Sequence, residues 1–228
     1  MKHIEQELLA LKENVNQMWK LVLSQLEKTK QSFINQDIEL AREVVSREKR
    51  VNAFELKIDS DCENYIALYA PVAIDLRLAL SLIKISLTLE RIGDFAAGIA
   101  RHVIDDDCNK IDPQVAEDLQ IEKMFDIVAS MLSDCFVALE SENTKISGKI
   151  IAKDEDVDEI YLAAIHILAV WVENNPSMAH CALKTYLLIR KLERIGDHCN
   201  NIVEEIVFYV DAKVLKHSKL KQQTQTKQ

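Results

Sequence analysis

Ile4, Leu8, Leu11, Val15, Met18 and Val22 follow one another in alternating steps of four and three. Such spacing puts all six on one side of an α-helix. It predicts a first helix from near the start of the chain to about Phe33. A second spans Asp37 to Tyr69, with Asp37 suited to its N-cap, and Pro71 interrupts the pattern. A third runs from about Val72 to Ile104. The fourth carries Ile121, Phe125, Val128, Leu132, Cys135 and Leu139, and Asp112-Pro113 ahead of it is a helix-start signal. Ser141-Glu142-Asn143 reads as a turn before a fifth helix over about Thr144 to Glu173. Asn174-Asn175-Pro176 ends that helix and opens a sixth, which reaches about Ala212. Alternating threes and fours form the seam of near-parallel packed helices. Short connections make neighbours antiparallel. Helices of about 30 residues are about 45 Å long, so the bundles are elongated.

The pattern repeats. Leu89-Glu90-Arg91-Ile92-Gly93-Asp94 returns, 103 residues later, as Leu192-Glu193-Arg194-Ile195-Gly196-Asp197. The flanking stripes match at the same offset, Ile85, Leu89, Ile92, Ala96, Ile99 and Val103 against Leu188, Leu192, Ile195, Cys199, Ile202 and Ile206. The expected fold class is therefore all-α, two tandem antiparallel three-helix bundles related by internal duplication, with the motif on the third helix of each. The expected divisions are a first repeat over 1–104, a linker over 105–114, a second repeat over 115–212 and a basic, disordered tail over 213–228.

Composition narrows the function. With 4 Gly and 3 Pro in 228 residues the chain lacks the turn residues of a sandwich or barrel. A net charge of −9 argues against nucleic acid as a partner. The charge is uneven, since Lys213 to Gln228 holds five lysines and no acid, which leaves the body more acidic still. Met1 leads straight into an amphipathic pattern, so no signal peptide is expected. The longest nearly apolar stretch, Ile160 to Val172, is too short to cross a bilayer. Cys62, Cys108, Cys135, Cys181 and Cys199 are odd in number and lack zinc-type spacing. They read as reduced thiols of a cytoplasmic protein.

The chemistry lies in the acids. Glu90 and Asp94 share a helix face, as do Glu193 and Asp197. Both pairs stand off the seam. Folding the second helix back on the third at Pro71 sets Asn52 opposite Glu90 and Glu48 opposite Asp94. The same exercise at Asn175-Pro176 sets Asp158 opposite Glu193 and Asp154 opposite Asp197. Each half then gathers four oxygen-bearing side chains on one surface. Such ligands suit hard divalent or trivalent ions (iron, manganese, magnesium) better than a thiol-bound metal. Asp158 in place of Asn52, and a stripe that continues through Glu204 and Asp211 where the first half has Arg101 and Cys108, lead us to expect tighter binding in the second half. A helical Gly costs about 1 kcal/mol against Ala, so Gly93 and Gly196 point to close packing. His166, His180 and His198 read as polar packing residues. No Glu or Asp has a His three residues later, so the bundle oxidase pattern is absent. A metal-dependent hydrolase and a plain helical scaffold remain the alternatives to a regulatory adaptor.

The chain resembles the PhoU family of phosphate-uptake regulators. The residues that carry the likeness are Val51-Asn52-x-x-Glu55-x-x-x-Asp59, Pro71-Val72-Ala73-x-Asp75-Leu76-Arg77, Asp154-x-x-Val157-Asp158 and the two copies of the motif, the second followed by His198. The resemblance implies two three-helix bundles side by side in a cytoplasmic, often dimeric, non-enzymatic protein. It implies repression of the phosphate-starvation response when phosphate is plentiful, through contact with the ATPase of a phosphate ABC transporter and with a sensor histidine kinase. It also implies iron or zinc clusters on the repeated acidic motifs, which carry over to Glu48, Asn52, Glu90, Asp94, Asp154, Asp158, Glu193 and Asp197. The second half lacks the Asp-Leu-Arg triplet, so a partner contact through Asp75 and Arg77 is expected in one half only.

Overall fold

The structure is a computed structural model that describes residues 2–105 and 113–215. Most of the expected linker, with Cys108, and most of the expected tail lie outside the described residues. Three long helices form the first repeat, α1 (Lys2–Asn35), α2 (Ile38–Tyr69) and α3 (Ala73–Ile104). The second holds a short α4 (Pro113–Asp118), then α5 (Ile121–Glu140), α6 (Ser147–Asn174) and α7 (Ala179–Asp211). Six long helices thus stand where the apolar spacing puts them. One boundary differs. The Asp112-Pro113 start signal opens only α4, because Gln120 takes a left-handed conformation at φ 49° and breaks the helix before Ile121. No described helix is long and apolar enough to cross a membrane.

Local chemistry sets the ends. Asp37 caps α2, its carboxylate accepting the Leu40 N–H at 2.9 Å. Ala70, left-handed at φ 44°, closes α2 before Pro71. Asn143 caps the one-turn 3₁₀ segment Thr144–Ile146 that leads into α6. A second such segment, Pro176–Met178, leads into α7.

The predicted seams are buried. Each of the six residues of the α3 stripe and of the matching α7 stripe is at most 1% exposed. One apolar core runs through both repeats rather than one core in each. The repeats are joined by two antiparallel pairs. Between α3 and α7, Arg77 Nε donates to the Tyr209 carbonyl, Ser81 to the Glu205 carbonyl and Lys84 to the Glu205 carboxylate. Between α1 and α5, Trp19 Nε1 donates to the Leu132 carbonyl and Lys30 Nζ to Asp126 at 2.6 Å. Phe95 and His198, which occupy the same position of the repeat, face each other with ring centroids 5.6 Å apart. Equivalent residues of two units meet only on the two-fold axis that relates them. The duplication is therefore a pseudo-dimer, and its axis passes between α3 and α7 beside Gly93 and Gly196.

Candidate functional site

The motif glycines let the neighbouring helix in. A Cβ on Gly93 would lie 3.3 Å from Gln25 Oε1 and from Val51 Cγ1. A Cβ on Gly196 would lie 2.8 Å from Asp154 Oδ1, closer than side chains tolerate. The approach that the glycines allow is made by side chains of α1, α2 and α6. With the backbone held there, the third helix of each repeat turns its Glu and Asp outward beside the second helix.

In the first repeat Glu90 is half-buried and its Oε2 has no hydrogen-bond partner. Burial, then the neighbouring Asp94 and more weakly Glu55, raise its carboxyl above the usual range, with Arg91 opposing. In the second repeat burial, then Asp197 and Asp158, raise Glu193, with Arg194 and Arg190 opposing. Arg194 donates to Asp197 at 3.1 Å. Each repeat thus holds a half-buried glutamate flanked by two carboxylates, Glu55, Glu90 and Asp94 in one and Asp158, Glu193 and Asp197 in the other.

This arrangement corrects three of the four predicted pairings. Asp158 does act on Glu193. Glu48 does not face Asp94; its carboxylate pairs with Arg101, two turns further along α3. Asn52 is exposed, and the α2 charge that acts on Glu90 is Glu55. Asp154 is not on the open face either. It is 2% exposed, pressed on Gly196 and hydrogen-bonded by Asn200. Helical side chains lean toward the N-terminus, so in an antiparallel pair each residue meets a partner lying further C-terminal than its own level suggests. Counting back from Pro71 neglects that lean and lands a turn short. The missed residue, Glu55, was within reach: the repeat offset of 103 subtracted from Asp158 leads to it. Both trios then have equal numbers of acids, so the exchange of Asn52 for Asp158 no longer distinguishes them.

The donor set is all oxygen, and mutual repulsion destabilises the charged state of both glutamates. A hard cation would relieve the repulsion and ligate the Glu90 oxygen, which among the described residues has only the Arg91 ion pair at 3.7 Å. Among the described residues no three Asp, Glu, His or Cys side chains converge closely enough to enclose an ion. The described cysteines form no disulfide, Cys62, Cys135 and Cys199 being buried and Cys181 half-buried. His198 packs on Phe95, and burial, then Arg194, keep its imidazole below the usual range. Arg77, from the triplet present in one repeat only, donates at 3.1 Å to the Tyr209 carbonyl in the last turn of α7, a favourable place for a cation.

The PhoU domain model matches residues 15–103 and again 121–206, one copy per repeat. The chain belongs to the PhoU family. It is 32% identical over 216 residues to the phosphate-specific transport system accessory protein PhoU homolog of Aquifex aeolicus, covering 95% of this chain and 96% of that one. It is 31% identical to the phosphate-specific transport system accessory protein PhoU of Escherichia coli, covering 92% and 86%. The crystal structure of PhoU from Pseudomonas aeruginosa superposes with a TM-score of 0.82 at 28% identity, over 92% of this chain and 99% of that chain. Each domain match spans one acidic helix pair, so each PhoU domain contributes one carboxylate trio.

Proposed function

We propose that this protein is a non-enzymatic cytoplasmic regulator of phosphate uptake and of the phosphate-starvation response. In this reading it is a helical adaptor between the ATPase subunit of a phosphate ABC transporter and a sensor histidine kinase, repressing the response when phosphate is plentiful, and it works as a homodimer. The observation that carries the reading is the family match over both repeats, together with relatives named as accessory proteins of phosphate-specific transport.

The acidic trios are proposed as its metal sites. Glu55, Glu90 and Asp94 would hold one ion or cluster, and Asp158, Glu193 and Asp197 another, with iron, zinc, manganese or magnesium as candidates. Bound there, a cation supplies charge neutralisation and a bridging point for a partner's carboxylates. The protein's own part is steric and electrostatic. Gly93 and Gly196 bring the second helix close, and Arg91 and Arg194 temper the acids from the flank.

Two measurements test this. Expressed in a bacterium whose own PhoU relative has been deleted, the chain is expected to restore repression of phosphate-starvation genes at high phosphate. The same chain is expected to co-purify with the transporter ATPase. Failure of both would overturn the adaptor role. Metal analysis of purified protein beside the variant carrying Glu90→Ala, Asp94→Ala, Glu193→Ala and Asp197→Ala tests the sites. Stoichiometric metal lost in the variant supports them, and none after reloading with iron, zinc and manganese removes them.

A further inference from the structure

The pseudo-two-fold axis generates two grooves along the α3–α7 seam, one on each side of the Phe95–His198 contact. Because the repeats are equivalent, each wall position of one groove has a counterpart in the other. One groove, of about 330 Å³, is lined by Lys84, Arg91, His198, Glu204 and Glu205 among others. Its charges balance: Lys84 Nζ bonds both oxygens of Glu205 at 3.0 and 3.1 Å. The other groove, of about 490 Å³, has Arg101 and His102 where the first has Glu204 and Glu205. It has Lys191 at the place of Thr88 and Lys184 at the place of Ser81. Duplication alone would have made the grooves alike. The second groove carries three cations, Arg101, Lys184 and Lys191, against two carboxylates, Asp94 and Asp105, where the first carries two of each, in a chain whose net charge is −9.

We infer that this second groove is a binding site for a phosphate dianion, held by Arg101, Lys184 and Lys191. The three cations are unevenly neutralised, Lys191 least of all. Lys191 lies over Gly98, its Nζ donating to the Gly98 carbonyl at 3.3 Å, and among the described residues no carboxylate comes within 4 Å of it. A Cβ at 98 would lie 3.2 Å from Lys191 Cε, so glycine there gives that stem room to lie close. Lys184 reaches Asp105 at 4.0 Å, the limit of an ion pair, and Asp105 is 69% exposed. Arg101 is paired from outside the groove by Glu48, and its guanidinium carries five donors in all. Burial, then Lys191 and Lys184, hold the His102 imidazole below its usual range. Asp94 stands at the edge of the groove, where the acidic trio begins.

A tetrahedral dianion suits this set. Arginine offers a forked donor and the lysines offer point charges. The low-dielectric wall of Phe95 and Leu187 strengthens each contact and focuses the field. The inference does not depend on the adaptor role or on metal in the acidic trios.

The test is calorimetric titration of the full chain, stripped of metal with a chelator so that the acidic trios cannot contribute. Inorganic phosphate is titrated in one arm and O-phosphoserine in the other. Saturable binding below about 10 mM is expected, weakened about tenfold or more by Lys184→Gln with Lys191→Gln. Lys20→Gln with Lys49→Gln, which removes two exposed charges elsewhere, is expected to leave it unchanged. Binding of phosphate and of the monoester with like affinity assigns the site to free phosphate. Much tighter binding of the monoester assigns it to a phosphorylated side chain. No saturable binding in either arm, or equal loss in both pairs of variants, overturns the proposal. Far-ultraviolet circular dichroism of each variant confirms that a loss is not unfolding.

Discussion

Phe95 and His198 occupy one and the same position of the repeat, and they touch across the seam between α3 and α7 with centroids 5.6 Å apart. A self-contact of this kind marks the axis of the internal pseudo-dimer. It also shows where the two copies were free to diverge, since a residue on the axis meets its own counterpart. His198→Phe would restore a like pair. Both rings are half-buried, and a Phe–Phe contact contributes about 0.5–1.5 kcal/mol beyond area burial. His198→Phe is expected to leave the unfolding midpoint unchanged or slightly raised. His198→Lys, which puts a third cation near Arg91 and Arg194, is expected to lower it. Denaturant titration of the three chains decides.

The motif glycines make a sharper test, because their surroundings differ. In the first repeat Gly93 meets Val51 and the end of Gln25. In the second Gly196 meets the buried carboxylate of Asp154, which stands where the offset puts Val51. Gly→Ala in a helix gains about 1 kcal/mol of propensity. At Gly93 the contacts of 3.3 Å need only a small shift, so Gly93→Ala is expected within about 1 kcal/mol of the parent. At Gly196 the 2.8 Å approach forces Asp154 aside from its Asn200 bond, and Gly196→Ala is expected to destabilise by about 1–3 kcal/mol. Equal effects at both glycines would mean that the Asp154 contact relaxes freely.

These two positions also show what could be read in the chain beforehand. The helices, their seams and the duplication follow from spacing alone, because burial of a stripe is a property of one helix. The acids of the motif were visible for the same reason. Of their α2 and α6 partners only Asp158 was placed, since partners depend on the register between helices, and register turns on side-chain lean and on connections such as Ala70–Val72 and Pro176–Met178. A one-turn error turned Glu48 and Asn52 into candidates, while Glu48 serves Arg101 and Asn52 faces solvent. Asp154 was misplaced for another reason. A charged residue is rarely buried, and nothing in its local pattern announces that Gly196 and Asn200 receive it.

If the trios bind metal, Glu55 belongs to the first site and Asn52 does not. Glu55→Gln keeps shape and removes charge, and is expected to weaken binding at that site about tenfold or more. Asn52→Ala, at an exposed position, is expected to change nothing. Metal titration of each variant, in a chain whose second site has been removed by Glu193→Ala and Asp197→Ala, separates the two residues. A loss in Asn52→Ala with none in Glu55→Gln would restore the simple fold-back register.

Glu142 ties three elements together and gives the fold a pH dependence. It sits in the α5–α6 turn at φ 49°, accepts the Tyr209 hydroxyl from α7 at 2.7 Å and pairs with Lys12 of α1 at 2.9 Å. The Tyr209 hydrogen bond first, and then Lys12, hold its carboxyl below the usual range. A carboxyl lowered in the folded state stabilises above its unfolded value, and the contribution disappears as pH falls through the folded value. Glu142→Gln is therefore expected to be less stable than the parent at neutral pH. The group is 44% exposed, so solvent screening limits the difference to about 0.5–1 kcal/mol. The gap is expected to close as pH drops below about 4. Thermal unfolding of both chains from pH 3 to pH 8 checks the sign. A gap that persists at the acid end would assign the effect to hydrogen-bond shape rather than to charge.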